Sequence, residues 1–187
     1  MQDEKSLVER AKQHDQEAFG RIYEEYFDKI YRYVALRIGD KAEAEDMTQQ
    51  VFIKALKSIS SFKWKGVPFS AWLYRIAHNQ VVDYLRKSKK TPSTIKDESL
   101  LSDDSKGNPQ LLAEHSLNID RLLSATQRLT EAQREVISLR FTSGLSTAEV
   151  ASIMGKSQGA IKALQHSAIV ALRKILLVGT NEQTQGI

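Results

Sequence analysis

Apolar residues recur along most of this chain at intervals of three and four, the spacing of one helix face, and nothing in its amino-terminal half alternates like a strand. The first stripe is Phe19, Ile22, Tyr23, Tyr26, Phe27, Ile30, Tyr31 and Val34. A second helix is predicted over about Lys41 to Ile59, with Ala44, Met47, Val51, Ala55 and Leu56 on one side and Asp46, Gln49, Gln50 and Lys54 elsewhere. A third is predicted over about Ser70 to Lys87, burying Leu73, Ile76, Ala77, Val81, Tyr84 and Leu85. Between the last two, Lys63-Trp64-Lys65-Gly66-Val67-Pro68 reads as a loop.

The periodicity stops at about Thr91. The stretch TPSTIKDESLLSDDSKGNP, bracketed by Pro92 and Pro109, is polar and predicts an exposed linker, because proline turns the residue before it away from helix. A helical pattern returns from Leu117 to Leu129. Two capping-box sequences follow, Thr130-Glu131-Ala132-Gln133 and Ser146-Thr147-Ala148-Glu149. The second opens a short helix carrying Val150, Ala151, Ile153 and Met154, which ends at Gly155-Lys156. Ser157 then caps a long helix with Ile161, Leu164, Ala168, Leu172 and Ile175 inward. A short capped helix, a glycine turn and a longer helix opening with small polar residues form the pattern of a helix-turn-helix. Its outward positions are Gln158, Gly159, Lys162, Gln165 and His166, groups able to enter a major groove, while Lys156 and Arg173 can reach phosphates. A plain helical hairpin with a solvated polar face would read similarly; the two successive caps favour the helix-turn-helix.

The predicted fold is all-α: two small helical domains joined by a flexible linker, the second containing the helix-turn-helix. The boundaries are 1–90 for the first domain, 91–116 for the linker, 117–178 for the second domain and 179–187 for a disordered tail. With 187 residues, 41% of them hydrophobic, the chain can build two such small cores. It has no cysteine, which excludes disulfides, thiolate metal sites and cysteine nucleophiles and agrees with the cytoplasm. The charged start, Met1 to Arg10, and the lack of a run of roughly 20 apolar residues predict neither secretion nor membrane insertion. Ten residues follow Leu177, too few for a further folded unit.

Charge changes the picture because it is uneven. The net charge is +4, yet Met47 to Lys90 carries nine bases against Asp83 alone, while the first 46 residues hold 12 acids against 8 bases. Within the basic segment aromatics alternate with cations: Phe62, Trp64, Lys65, Phe69, Trp72, Tyr74, Arg75, Tyr84 and Arg86. Unpaired nucleic acid is held by this combination, since rings stack bases for roughly 1–3 kcal/mol each while cations follow the backbone. Asn79 can hydrogen-bond a base, and Arg86 with Lys87, Lys89 and Lys90 can neutralise phosphates. Aromatics at helical spacing usually bury, so Trp72 and Tyr74 are expected to serve partly as core, whereas Trp64, in a loop, is expected to touch a partner. His14, His78, His115 and His166 lack metal-ligand spacing and the aspartates lack a paired arrangement, so no active site, metal or cofactor is predicted.

These motifs resemble, in the same order and over nearly the whole chain, the extracytoplasmic-function (ECF) group of bacterial sigma factors. Glu45 to Leu56 is similar to that family's polymerase-binding helix, Phe69 to Asn79 followed by Asp83-Tyr84-Leu85-Arg86 to its promoter-melting helix, and Leu129 to His166 to its carboxy-terminal domain. The resemblance implies a non-enzymatic factor whose partners are core RNA polymerase, promoter DNA as duplex and melted strand, and an anti-sigma protein. No membrane contact and a monomeric free state go with it. It implies that Asp46, Gln49, Gln50, Phe52 and Lys54 dock on polymerase. It implies too that the Phe62 to Pro68 loop captures a base flipped from the minus-ten element, with Trp64, Lys65, Trp72, Arg75, Asn79, Arg86 and Lys87 nearby. The minus-thirty-five element falls to Lys156, Ser157, Gln158, Gly159, Lys162, Gln165, His166 and Arg173. At Ser167 the chain departs from the family pattern, which has an arginine there. The other readings are a helix-turn-helix regulator acting without polymerase, which binding to core polymerase would exclude, and an enzyme on nucleic acid, which promoter cleavage would reveal.

Overall fold

Two aspartates start the helices that organise the amino-terminal half. Asp15 accepts from the Ala18 amide at 3.1 Å and Asp40 from the Glu43 amide at 3.0 Å, so each satisfies an amide that the first helical turn leaves free. The computed structural model describes residues 2–64, 66–88 and 124–184. In chain order the helices are α1 (Gln2–Lys12), α2 (Gln16–Ile38), α3 (Lys41–Ser58) with a 3-10 turn at Ile59–Ser61, α4 (Phe69–Ser88), α5 (Glu131–Ser143), α6 (Thr147–Met154) and α7 (Gln158–Thr184), with no strand among the described residues. The expected linker, 91–116, lies outside them.

Gly39, at φ 82°, closes α2 and stands next to the cap of α3, so the chain reverses in two residues and α3 packs back along α2. Helix α2 is the spine. Its Ala18, Ile22, Tyr26, Ile30, Tyr33 and Val34 meet Val51, Phe52 and Ala55 of α3 and Phe69, Leu73, Tyr74 and Val81 of α4 in one core. Helix α1 was not visible in the apolar pattern because its stripe is short: Leu7, Val8 and Ala11 bury against the core amid charged neighbours, and Tyr26 donates to Glu4 at 2.5 Å.

In the carboxy-terminal half both capping boxes form. Thr130 and Gln133 exchange side chain-to-amide bonds, as do Ser146 and Glu149, and Ser157 accepts from the Ala160 amide at 3.2 Å to start α7. Gly144 and Gly155, at φ 66° and 62°, supply the left-handed residues that end α5 and α6. Helix α7 continues to Thr184, so residues 179–184 are helical where a disordered tail from 179 was expected.

Helix α2 also packs on α5, and α4 on α5 and α6, so the two halves touch. That contact explains Arg37, a residue with no place in an apolar stripe yet only 1% exposed: its guanidinium lies against the start of α5 and donates to the Glu131 carbonyl at 3.3 Å. Arg134, beside it, donates to the Gln127 carbonyl at 2.5 Å, and burial with the neighbouring Arg37 charge lowers its pKa.

His14 has φ 64°, a conformation that a side chain disfavours. His14→Gly is expected to stabilise the fold by about 0.5–1 kcal/mol, and Gly155→Ala to destabilise it by about 1 kcal/mol because φ is positive there although space is free. Urea unfolding of the two variants should move in opposite directions.

Candidate polymerase and nucleic-acid interfaces

The outer face of α3 carries Asp46, Gln49 and Gln50, all exposed, and continues in the same stripe to Ile53 and Leu56. These two aliphatics are 43% and 48% exposed, far from the usual state of large apolar side chains on a packed helix. Leu56 had been assigned to the inner side; it points out because Val51 and Ala55 take the core face. The converse holds for Phe52, expected to dock on a partner. Its ring is 3% exposed and sits 4.8 Å from Tyr23 and 6.1 Å from Phe27, so it supports the face from beneath. Lys54 is exposed and donates to Gln80 at 3.0 Å, bridging α3 to α4. Ile53 was missed, though its three- and four-residue spacing from Gln49 and Gln50 was the available signal.

The loop after the 3-10 turn is ordered by rings. Phe62 is 3% exposed, its centroid 4.9 Å from Trp64, 5.5 Å from Phe69 and 5.4 Å from Trp72. Trp64, expected to touch a partner, is half-buried: its indole N–H donates to Glu9 of α1 at 2.8 Å, so an element unseen in the sequence pattern anchors the loop. Lys65 lies outside the described residues. Between loop and α4 is an open cavity of about 140 Å³ lined by Ser61, Phe62, Lys63, Val67, Trp72 and Arg75. Its walls are aromatic, with Lys63 and Arg75 supplying two cations; Lys63 and Val67 belong to the expected Phe62 to Pro68 loop, whereas Ser61 was not anticipated. Trp72 is half-buried and shared between core and cavity. Tyr74 is fully buried, and burial pushes its hydroxyl up to about 12. Asn79, Arg86 and Lys87 are exposed further along α4, Arg86 paired with Asp83 at 3.0 Å.

On the helix-turn-helix, Lys156, Gln158, Gly159, Lys162, His166 and Arg173 are exposed and Gln165 is half-buried. Ser157 has its hydroxyl committed to the cap. Ser167 accepts from Gln133 at 3.1 Å and donates to the Leu164 carbonyl at 3.0 Å, so at this position a bond between α7 and α5 stands where an arginine would offer a cation. Among the described residues no group of histidines and carboxylates could hold a metal, and no helix is long and apolar enough to cross a membrane.

Two helical units, one with a helix-turn-helix and the other with a basic, ring-lined cavity beside an outward aliphatic stripe, define a protein that handles nucleic acid in partnership with another protein. Residues 22–91 match Sigma-70 region 2 and residues 125–174 match Sigma-70, region 4. The chain is 34% identical over 182 residues to the ECF RNA polymerase sigma factor SigW of Bacillus subtilis, covering 92% of this chain and 96% of SigW. It is 42% identical over 170 residues to the ECF RNA polymerase sigma factor BldN of Streptomyces coelicolor, covering 91% of this chain and spanning 64% of BldN. The fold is also that of the Bartonella quintana sigma factor RpoE, solved with the anti-sigma factor NepR: TM-score 0.71, 24% identity, 86% of this chain and 97% of that one. The chain belongs to the ECF sigma factors of RNA polymerase.

The Trp64 anchor is testable by pH. Hydrogen bonds from Lys12 and then Trp64 hold the Glu9 carboxyl below its ordinary 4.5. A depressed carboxylate keeps its bonds above that range and loses them only as pH falls through its lowered value. In a Trp72→Phe chain the remaining tryptophan's emission is therefore expected to stay constant from neutral pH down to 4.5 and to change below it. Glu9→Gln should abolish that transition.

Proposed function

We propose that this chain docks on core RNA polymerase through the outer stripe of α3 and directs it to promoters, with the amino-terminal end of α7 reading an upstream duplex element. The cavity beside α4 then holds a base of the separated strand. The observation that carries the reading is the pair Ile53 and Leu56, exposed in line with Asp46, Gln49 and Gln50. Apolar side chains at the centre of a polar patch are the make-up of a protein-docking surface, and a regulator working by DNA contact alone has no use for one on this face.

The cavity supports the second step. Trp72, backed by the buried Phe62, presents ring surface to a planar base, and Arg75 and Lys63 offer charge to the phosphates on either side. Strand separation by such a site is capture rather than chemistry: a base that has left the stack is stabilised outside it, so the unit acts as a non-enzymatic initiation factor with no cofactor. On α7, Gln158, Lys162 and Gln165 fall on the turns that enter a groove first, and Lys156 and Arg173 flank them toward the backbone. The two units are residues 1–90 and 117–178, joined by 91–116. The factor works as a monomer in the cytoplasm, where the polymerase is, and an anti-sigma protein is a further partner that family membership suggests.

Ile53→Glu combined with Leu56→Glu is expected to weaken binding to core polymerase about 30-fold, the size of a central hot spot, with helicity and duplex binding unchanged. Sizing chromatography with core polymerase reads the loss; co-elution at full strength would refute the α3 assignment. Lys162→Ala with Gln165→Ala should weaken binding to the upstream element at least about 30-fold, at roughly 1–3 kcal/mol per base contact, and leave polymerase binding intact.

A further inference from the structure

Two carboxylates of α1 reach the rings behind the cavity. Glu9 Oε1 accepts from the Trp64 indole N–H at 2.8 Å, and Glu4 Oε1 accepts from the Tyr26 hydroxyl at 2.5 Å. Each ring passes the constraint on. Trp64 stands edge-on to Phe62 with centroids 4.9 Å apart, and Tyr26 edge-on to Phe69 at 5.8 Å. Phe62 and Phe69 are 5.5 Å from each other and lie 5.4 and 5.3 Å from Trp72, which lines the cavity. Two hydrogen bonds from one helix therefore converge on one wall.

Helix α1 is itself held. Its Leu7, Val8 and Ala11 are buried, and Arg10 donates to Asp15, the cap of α2, at 2.7 Å. Lys12 donates to both oxygens of Glu9, at 3.1 and 3.0 Å, and so fixes the way the carboxylate turns. Neither Glu9 nor Trp64 lines the cavity. The sign of the Glu9 effect then separates two roles. A carboxylate acting on a bound strand by its charge repels phosphates, so removing it would tighten binding. A carboxylate that holds the loop does the reverse: once released, the loop samples other positions, and only the fraction of chains with the wall formed binds.

We infer that Glu9 is a positioning residue for strand capture: through the Trp64 indole it fixes Phe62, and with it the wall on which Trp72 meets an unpaired base. The inference rests on the strand-capture reading of the cavity. Glu4, through Tyr26 and Phe69, supports the same wall from the core side.

Holoenzyme assembled from core polymerase and each variant is titrated with a fluorescent single-stranded oligonucleotide that spans the minus-ten element of a promoter it opens. Glu9→Ala is expected to weaken strand binding about fivefold, although it removes a negative charge. Trp64→Phe, which keeps a ring and loses the N–H, should cost the same, and the double variant no more than either alone, because both changes remove one bond. Glu9→Gln keeps an oxygen acceptor and should hold affinity within about twofold of the unaltered chain. Affinity for core polymerase should change by less than about twofold in every variant. Unchanged or tighter strand binding by Glu9→Ala overturns the inference. So do losses that add in the double variant, or a loss with Glu9→Gln as large as with Glu9→Ala. Lys63→Ala with Arg75→Ala, two exposed changes at the cavity itself, tells the two readings apart. If that pair leaves strand affinity unchanged, the cavity is not the strand site and the positioning role goes with it. If the pair weakens binding while Glu9→Ala does not, only the positioning role falls.

Discussion

A buried guanidinium has to be answered by oxygen atoms, and the way Arg37 is answered sets the arrangement of this molecule. It sits near the end of α2, the helix on which α1, α3, α4 and α5 all pack, and it donates to a carbonyl at the start of α5. Nearby Glu135 meets His78, and burial together with the Glu135 charge raises the Tyr33 hydroxyl. Desolvated charges with imperfect partners define a geometry more than they stabilise it. The two halves share one apolar core, with the Arg37 and His78–Glu135 contacts at the join between them.

The amino-terminal core, built on the aromatic face of α2, keeps α3 and α4 in fixed relation, so the outer stripe of α3 and the ring-lined cavity are rigid with respect to each other. Anchoring of the loop by Trp64 and Glu9 extends this rigidity across the cavity mouth. In the other half, adjacent capping boxes and the left-handed Gly144 and Gly155 hold α5, α6 and α7 in a turn geometry that depends little on what they touch.

The bounds of α3, α4 and α6 and the starts of α5 and α7 were legible because helical periodicity and caps are local properties: Thr130, Ser146 and Ser157 do at short range what their residue types do anywhere. Exposed polar residues of the candidate surfaces, such as Gln49, Asn79 and Lys162, were legible for the same reason. Phe52, Phe62 and Trp64 were not. An aromatic side chain carries no mark of whether it faces a partner or a neighbour, and that depended on Tyr23, Phe69 and Glu9, residues between 7 and 55 positions away in the chain.

By itself the sequence determined an all-helical chain in two units, a helix-turn-helix, and a cationic, aromatic segment suited to unpaired nucleic acid, since composition, periodicity and capping act within a few residues. Only tertiary structure decided that Ile53 and Leu56 face outward, that α1 pins the loop, and that Arg75 and His78 are engaged by the opposite half. Those outcomes depend on which faces remain after the helices have packed, and packing couples residues that no local pattern connects.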